Sequence, residues 1–600
     1  LALAIADVVA VQNEPEITCR PIAGIRPARS SFWRVLLAFG FGFALMSYVQ
    51  SGAYEPTDRD GFYHTKMAAL MGSGEVVFPE KFPWLCHTLH NRYHFVSHHY
   101  GLHMLMAPFV HASKWAADHA PAGLRRWATK SDDSGIAGSL RGAVRSWLAS
   151  PYILGAKALV SVVFGLILAL FVVLIRLLDA AWLWFWVISI AALPSDFLLR
   201  MSYARAPGIS LLMMLAIIWA CIRVRPVVLA VLAFCYCHIY LGGVMYTPLI
   251  VGAFIASYAV CGQERDVRAC VKLAAGAVVG ISLAVVTNPF RGDVLQFLYT
   301  QVFESGLQTT QNRVSVGNEW KPYDLYDWAR MSCYVLVVFA TTVVFRSTWN
   351  RIMDPRILAL LIINVGFLGL CMRARRFIEY WPALCLLSSA ALWAGFDRTL
   401  ASLRGRLAAA PEAASLVGRV GLAACVGAGA VGLFTAANAR DVATCRFDIP
   451  QIKTAMAYLA EVSKPGDVVF ADDWDVFPMF FYYNHHNYYV CGLDPQFVNS
   501  IDPELWERYA VITQGRAPKT SRVYVAGAGG AEEVKEFEVT IDDVREKFDA
   551  TWVIVDSDHA GFYRQMRDRP DLFTQVFPPP KPADRKPPPL SIFRVTPQDQ

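Results

Sequence analysis

What most limits the fold of this chain is a series of apolar runs too long for an ordinary soluble core. The stretch from Tyr152 to Arg176 carries Lys157 as its one charge before that arginine. About 18 apolar residues suffice to cross a hydrocarbon layer ~30 Å thick, and runs of that length recur. Hydropathy places spans near 32–50, 152–176, 180–197, 206–222, 226–242, 245–261, 268–287, 331–347, 356–373, 377–396 and 413–436, about 11 in all. With 55% hydrophobic and 17% charged residues, the chain reads as a polytopic α-helical membrane protein whose first partner is the lipid bilayer. The net charge of +6 over 600 residues sits mostly in short loops. It speaks for orientation and implies no nucleic-acid partner.

The positive-inside rule orders these spans. Arg20, Arg26, Arg29 and Arg34 precede the first, Arg223 and Arg225 follow the fourth, and Arg265 and Arg268 lie after the sixth. Arg346, Arg351 and Arg356 follow the eighth, and Arg398, Arg404 and Arg406 the tenth. With eleven spans all of these fall on one side. The expected organisation is a cytoplasmic segment 1–31, a transmembrane domain 32–436 with external loops 51–150 and 289–330, and an external domain 437–600. No cleavable leader is expected within the first thirty residues. Residues 95–112, apolar but rich in histidine, read as an interfacial or re-entrant helix inside the first loop. Lys114, Arg125, Arg126, Lys130, Arg141 and Arg145 run against an external place for that loop, although long loops follow the charge rule poorly.

After Ala436 the pattern changes. Short β-rich runs at 467–471, 522–526 and 551–555 alternate with amphipathic stretches such as Ile452 to Val462, which predicts a C-terminal soluble α/β domain. The proline-rich stretch 578–589 reads as an extended connector before a last strand at Ser591 to Val595. Most of the 13 cysteines lie in apolar spans and form no zinc pattern. Cys445 and Cys491 are available for a disulfide if their region faces an oxidising compartment.

This topology gathers chemistry on the external face. Asp58, Asp60 and His64 follow the first span, Arg200 and Arg205 the third, Glu319 precedes the eighth, and Arg373, Arg375 and Arg376 follow the ninth. Carboxylates can act as a general base or hold a divalent cation, and guanidinium groups bind phosphate oxygens in pairs. Together they point to a lipid-phosphate substrate.

In Asp60-Gly61-Phe62-Tyr63-His64, Ser315-Val316-Gly317-Asn318-Glu319-Trp320 and Arg375-Arg376-Phe377-Ile378-Glu379-Tyr380, the chain resembles the GT-C glycosyltransferases, above all the catalytic subunit of oligosaccharyltransferases. The resemblance implies transfer of a sugar or oligosaccharide from a polyprenyl-phosphate or diphosphate donor to a protein, lipid or glycan acceptor. It also implies residence in a bacterial or archaeal cytoplasmic (inner) membrane. By the same resemblance Asp60 is catalytic, Glu319 lies in a mobile external loop and Arg376 contacts donor phosphate, while the shared external face adds Asp58 to the catalytic acids and Arg375, Arg205 and Arg200 to the phosphate-binding arginines. Trp474 and Asp475 stand where the family binds its acceptor, and Asp60, Glu319 and His64 would hold a divalent cation, Mg²⁺ or Mn²⁺. Two departures stand out. The second external loop reads Arg200-Met201-Ser202-Tyr203-Ala204-Arg205 where the family has two acids that complete a metal site, so Arg205 could take over part of a cation's work. The acceptor motif is altered to Trp474-Asp475-Val476-Phe477-Pro478, so asparagine glycosylation does not follow.

Each group has a plainer reading. The arginines at 373–376 can anchor at lipid headgroups, Glu319 can pair with Lys321 at the surface, the histidines between 87 and 103 can be packed side chains, and Trp474-Asp475 can be a strand-to-turn corner. A transporter or flippase of a lipid-linked or anionic solute is the alternative from another class. It calls for charges near the bilayer midplane, whereas here they cluster at span ends.

Overall fold

The computed structural model describes residues 29–76, 79–93, 95–130, 135–261, 264–290, 293–299, 317–396, 411–443, 449–526, 532–579 and 587–597. Among them, six helices are long and apolar enough to cross a membrane: Phe32–Gln50, Pro151–Leu177, Gly243–Cys261, Val267–Thr287, Pro355–Arg373 and Gly418–Val442. Two bent pairs raise this to eight: Ser195–Met201 with Ala206–Ile222, meeting at 98°, and Leu325–Met331 with Cys333–Arg346, at 74°. Pro226–Ile239 and Trp381–Leu392 are shorter apolar helices. The remaining expected span, 180–197, is not one helix but two short ones, Leu183–Ser189 and Ser195–Met201. Pro194 explains the break, because it offers no N–H and turns its predecessor away from helical geometry.

The outward faces of the long helices carry large apolar side chains. Val267, Val271, Val278 and Val286 stand more than half exposed on one helix, as do Leu422, Val426, Leu433 and Phe434 on another. A continuous apolar surface of this kind belongs against lipid, not water. The centre of the bundle is Pro151–Leu177, buried over most of its length. It lies close to Arg29–Gln50: a Cβ on Gly42 would meet the Phe164 carbonyl oxygen at 2.9 Å, and one on Gly165 would meet the Phe39 ring at 2.8 Å. Small residues that let helices approach this closely are a common device of membrane packing. Gln50 donates from Nε2 to Ser161 Oγ at 2.9 Å, and Lys157 donates to the Gln50 and Ala53 carbonyls at 3.2 and 2.5 Å. The chain leaving the first span is thereby pinned just before Asp58.

The first long loop is mostly helical. Asp60–Gly72 is followed by Tyr100–Asp118, which covers much of the histidine-rich stretch and carries Pro108 inside it. The C-terminal region is α/β, with a five-stranded sheet in the spatial order Tyr488–Tyr489, Val468–Ala471, Trp552–Asp556, Leu590–Val595 and Phe573–Phe577. Strands β1 (Val468–Ala471), β2 (Tyr488–Tyr489) and β5 (Trp552–Asp556) pair in parallel, while β7 (Leu590–Val595) is antiparallel to β5 and to β6 (Phe573–Phe577). The hairpin of β3 (Lys519–Ala526) and β4 (Glu532–Val539) forms a separate two-stranded sheet. Cys491 is buried in this region, and Cys445 lies outside the described residues. The α/β region docks through helix Phe477–Tyr483. Its Tyr482 meets the Phe62 ring at 5.4 Å and its Phe481 the Tyr63 ring at 6.1 Å, so the aromatic residues after Asp60 are the seat of the α/β region.

Candidate functional site

The loop 51–59 delivers two carboxylates to one place. Thr57 Oγ1 donates to the Ser202 carbonyl at 2.9 Å, tying the loop to the break between Ser195–Met201 and Ala206–Ile222. Gly61 permits the tight return: a Cβ there would meet Pro56 at 2.7 Å and Asp58 Oδ1 at 2.9 Å. Asp60 opens its helix, where a negative charge is favoured by the helix dipole. The 98° bend carries Arg200 at the end of one helix and Arg205 at the start of the next toward the same carboxylates.

Arg205 meets Asp60 Oδ2 at 2.7 Å, Asp58 Oδ2 at 3.4 Å and Glu319 Oε2 at 3.3 Å. Arg200 donates from Nη2 to Glu319 Oε2 at 2.8 Å and from Nε to Glu379 Oε1 at 2.6 Å. Arg376 reaches Glu319 Oε1 at 3.6 Å and lies 4.2 Å over the Trp320 ring. Three arginines thus converge on one glutamate, which comes from the loop before Leu325–Met331. Asp60, Arg205, Glu319, Arg376 and Glu379 line a cavity of about 130 Å³, partly open to solvent, which they share with His98, His99, Tyr240 and Trp320. Asp60 is the more accessible of the two aspartates, its side chain 39% exposed against 11% for Asp58.

Burial raises the Asp60 carboxyl above its ordinary value, opposed first by Arg205. Burial also pushes Asp58 up to about 7 against the pull of Arg205, with Asp60 adding to the rise. Glu319 goes the other way: burial would lift it, but Arg376, Arg205 and Arg200 together hold it well below the carboxylate range. Burial lowers His98 to about 3, with Arg376 nearby adding to the effect, and lowers His99 as well. Both imidazoles are therefore neutral at physiological pH.

The other expected residues fall elsewhere. Arg375 donates from Nε to the Pro322 carbonyl at 3.1 Å and lies over Tyr323, so it supports the loop carrying Glu319 and does not line the cavity. Asp475 is ion-paired with Arg59, the residue between the two aspartates, and Trp474 packs against the α/β core. The ligand set Asp60, Glu319 and His64 does not converge. His64 lines the same cavity, but its Nδ1 lies 2.8 Å from His103 Nε2, and the Arg205 guanidinium stands between the two carboxylates. These residues do not fit a divalent cation. Among the described residues, His, Cys, Asp or Glu ligand atoms come together in threes only at Asp472, Asp556 and His559. There His559 Nδ1 lies 2.9 Å from Asp556 Oδ1 and 3.2 Å from Asp472 Oδ2, beyond the carboxyl ends of the parallel strands β1 and β5. Those two carboxylates raise His559 to about 10, so a proton occupies the group.

Glu379, Tyr240 and Trp320 line the cavity without a role assigned from the sequence, and His98 and His99, expected only to pack, line it as well. Glu379 had a signal: an acid three residues after Arg376, at the apolar opening of a helix.

No family model matches this chain, and no curated protein is detectably similar to it in sequence. Solved structures resemble it in fold. The oligosaccharyltransferase of Archaeoglobus fulgidus in its apo form superposes with a TM-score of 0.53 at 12% identity, over 89% of this chain and 71% of the other. The fold is that of an oligosaccharyltransferase. A second structure of the same enzyme, tethered by a disulfide to an acceptor peptide with the NVT sequon, gives a TM-score of 0.52 at 12% identity, over 92% and 73% of the two chains. The oligosaccharyltransferase fold thus takes in both the membrane helices and the C-terminal α/β region, and it makes this chain a membrane protein of the expected class.

Proposed function

We propose that this protein is a membrane glycosyltransferase that moves a sugar or oligosaccharide from a polyprenyl phosphate or diphosphate to an extracytoplasmic protein, lipid or glycan acceptor. The observation that carries this reading is the convergence of Asp60 with Arg205, Arg376 and Glu319 in one cavity of an oligosaccharyltransferase fold, with Arg200 bonded to Glu319 behind them. In the proposed reaction Asp60 takes the acceptor proton while the acceptor oxygen or nitrogen forms a bond to the anomeric carbon. The bond from that carbon to the phosphate oxygen breaks with inversion, and the polyprenyl phosphate leaves with the electron pair. Arg205 engages only Oδ2 of Asp60 among the described residues, which leaves Oδ1 for the acceptor. Arg376, Arg200 and Arg205 stabilise the departing charge, and donors fixed before the reaction are the strongest means of doing so.

The divalent cation, Mg²⁺ or Mn²⁺, that the resemblance implies finds no converged ligand set at Asp60, and no step passes through one. Broken helices also line transporter pathways. Here the break at 202–205 turns two arginines onto carboxylates beside a base, which suits chemistry better than passage. The reading places the protein in a bacterial or archaeal cytoplasmic membrane with the α/β region outside. The test is reconstitution of the purified chain with membrane lipid extract, with glycosylated products followed by mass spectrometry. Products formed equally by Asp60→Asn would end this reading.

A further inference from the structure

We infer that the Arg205 guanidinium permanently occupies the cation position of this site, so that Asp58, Asp60 and Glu319 work around an arginine instead of a divalent ion. The geometry is that of a hub. Each of its three nitrogens faces a different carboxylate: Nη1 meets Asp60 at 2.7 Å, Nη2 meets Glu319 at 3.3 Å and Nε meets Asp58 at 3.4 Å. The guanidinium is also fixed in place, with the Tyr203 ring 4.9 Å from its carbon and its residue extended at the cap of Ala206–Ile222. A planar group with five donors fits three separate acceptors in this way, whereas a lysine would present one point charge.

The surrounding atoms leave a metal little to bind. Glu319 Oε2 already takes Arg200 and Arg205, and Oε1 faces Arg376. Mg²⁺ requires oxygen ligands at roughly 2.0–2.1 Å in near-octahedral order, and three neighbouring guanidinium charges would repel it. Four carboxylates, those of Asp58, Asp60, Glu319 and Glu379, face three arginines, so an added divalent ion would still leave an excess of positive charge.

This inference deepens the proposed glycosyl transfer and rests on it only for the role of Asp60. The full chain in lipid nanodiscs is titrated with Mn²⁺, free ion being read by electron paramagnetic resonance, for wild type, Asp60→Asn, Arg205→Met and the double variant. Wild type and Asp60→Asn are expected to bind equal amounts of Mn²⁺. Arg205→Met is expected to gain one ion per chain, and the double variant to lose it. Any uptake at Asp472, Asp556 and His559 is common to all four and cancels. A Mn²⁺ ion bound by wild type and lost in Asp60→Asn would overturn the inference, as would a folded Arg205→Met that gains none. If Arg205→Met does not fold, the comparison of wild type with Asp60→Asn decides the matter alone. Because the readout is metal occupancy, failure of this inference and failure of the glycosyl-transfer reading give different results.

Discussion

Replacing Arg200 with alanine isolates the electrostatics of the site. Glu379 is 3% exposed and Arg200 12%, and the guanidinium Nε lies 2.6 Å from the Glu379 carboxylate. Two unit charges about 4 Å apart attract by about 4 kcal/mol at an effective dielectric near 20. Removing one member of a buried pair leaves the other uncompensated and costs about 3–5 kcal/mol. Glu319 is affected less, because Arg205 and Arg376 remain beside it. Arg200→Ala is therefore expected to destabilise the protein by about 3–5 kcal/mol. Glu379→Gln keeps an acceptor for Arg200 and leaves Arg200 its contact with Glu319, so its cost is that of a weakened hydrogen bond, about 1–2 kcal/mol. The double variant buries no unpaired charge at this position and should recover part of the Arg200→Ala loss. Unfolding in detergent micelles by added dodecyl sulfate, followed by tryptophan fluorescence, measures all three and closes the cycle. A loss below about 1 kcal/mol for Arg200→Ala, or strictly additive effects, would refute the reasoning.

Asp60→Asn should lower turnover of a lipid-linked sugar by about 10²- to 10⁴-fold, the usual worth of a general base; product formation by mass spectrometry checks it, and an unchanged rate would remove Asp60 from the chemistry. Activity should rise with pH as Asp60 ionises. Because Arg205 opposes the burial that raises this carboxyl, Arg205→Met should move the rising limb to higher pH, and a shift to lower pH would contradict the assignment. In the α/β region, His559 is raised to about 10 by its two carboxylates. The stability it contributes is complete below its unfolded value near 6.5 and is lost as pH climbs through the folded value. Thermal unfolding of the α/β region should thus weaken between pH 6.5 and 10, and His559→Gln should flatten that slope; a variant with the parent's slope would refute it.

The membrane class and the α/β region were legible because both rest on repeated local patterns, apolar runs in one case and β-rich alternation in the other. The region 180–197 misled because composition alone does not register Pro194, which splits an apolar stretch into two short helices. Sidedness brought out Asp58, Asp60, Arg200, Arg205, Glu319 and Arg376, and the fold packs all six together. Arg375 was counted with Arg376 because adjacent residues share a membrane face, yet within a single turn they point apart, one to Pro322 and one to Glu319. The metal set misled for a related reason. His64 lines the cavity with Asp60, but its Nδ1 is taken by His103, and no local pattern signals that pairing across the fold.

The same divergence of neighbours gives the segment Asp58-Arg59-Asp60 its place in the architecture. Asp58 and Asp60 turn toward Arg205 in the membrane domain, while Arg59 between them pairs with Asp475 and lies 3.9 Å from Asp473 in the α/β region. Phe62 and Tyr63, directly after, pack on the aromatic helix Phe477–Tyr483. The candidate base is therefore held from two sides: by the broken helix that presents Arg205, and by the α/β region that grips the residues around it. A change that loosens the α/β region from Arg59 acts on Asp60 through the backbone, without touching the cavity. Trp474-Asp475 accordingly has a structural part whatever its part in acceptor binding, because its carboxylate joins the region after Asp467 to the loop that carries the chemistry.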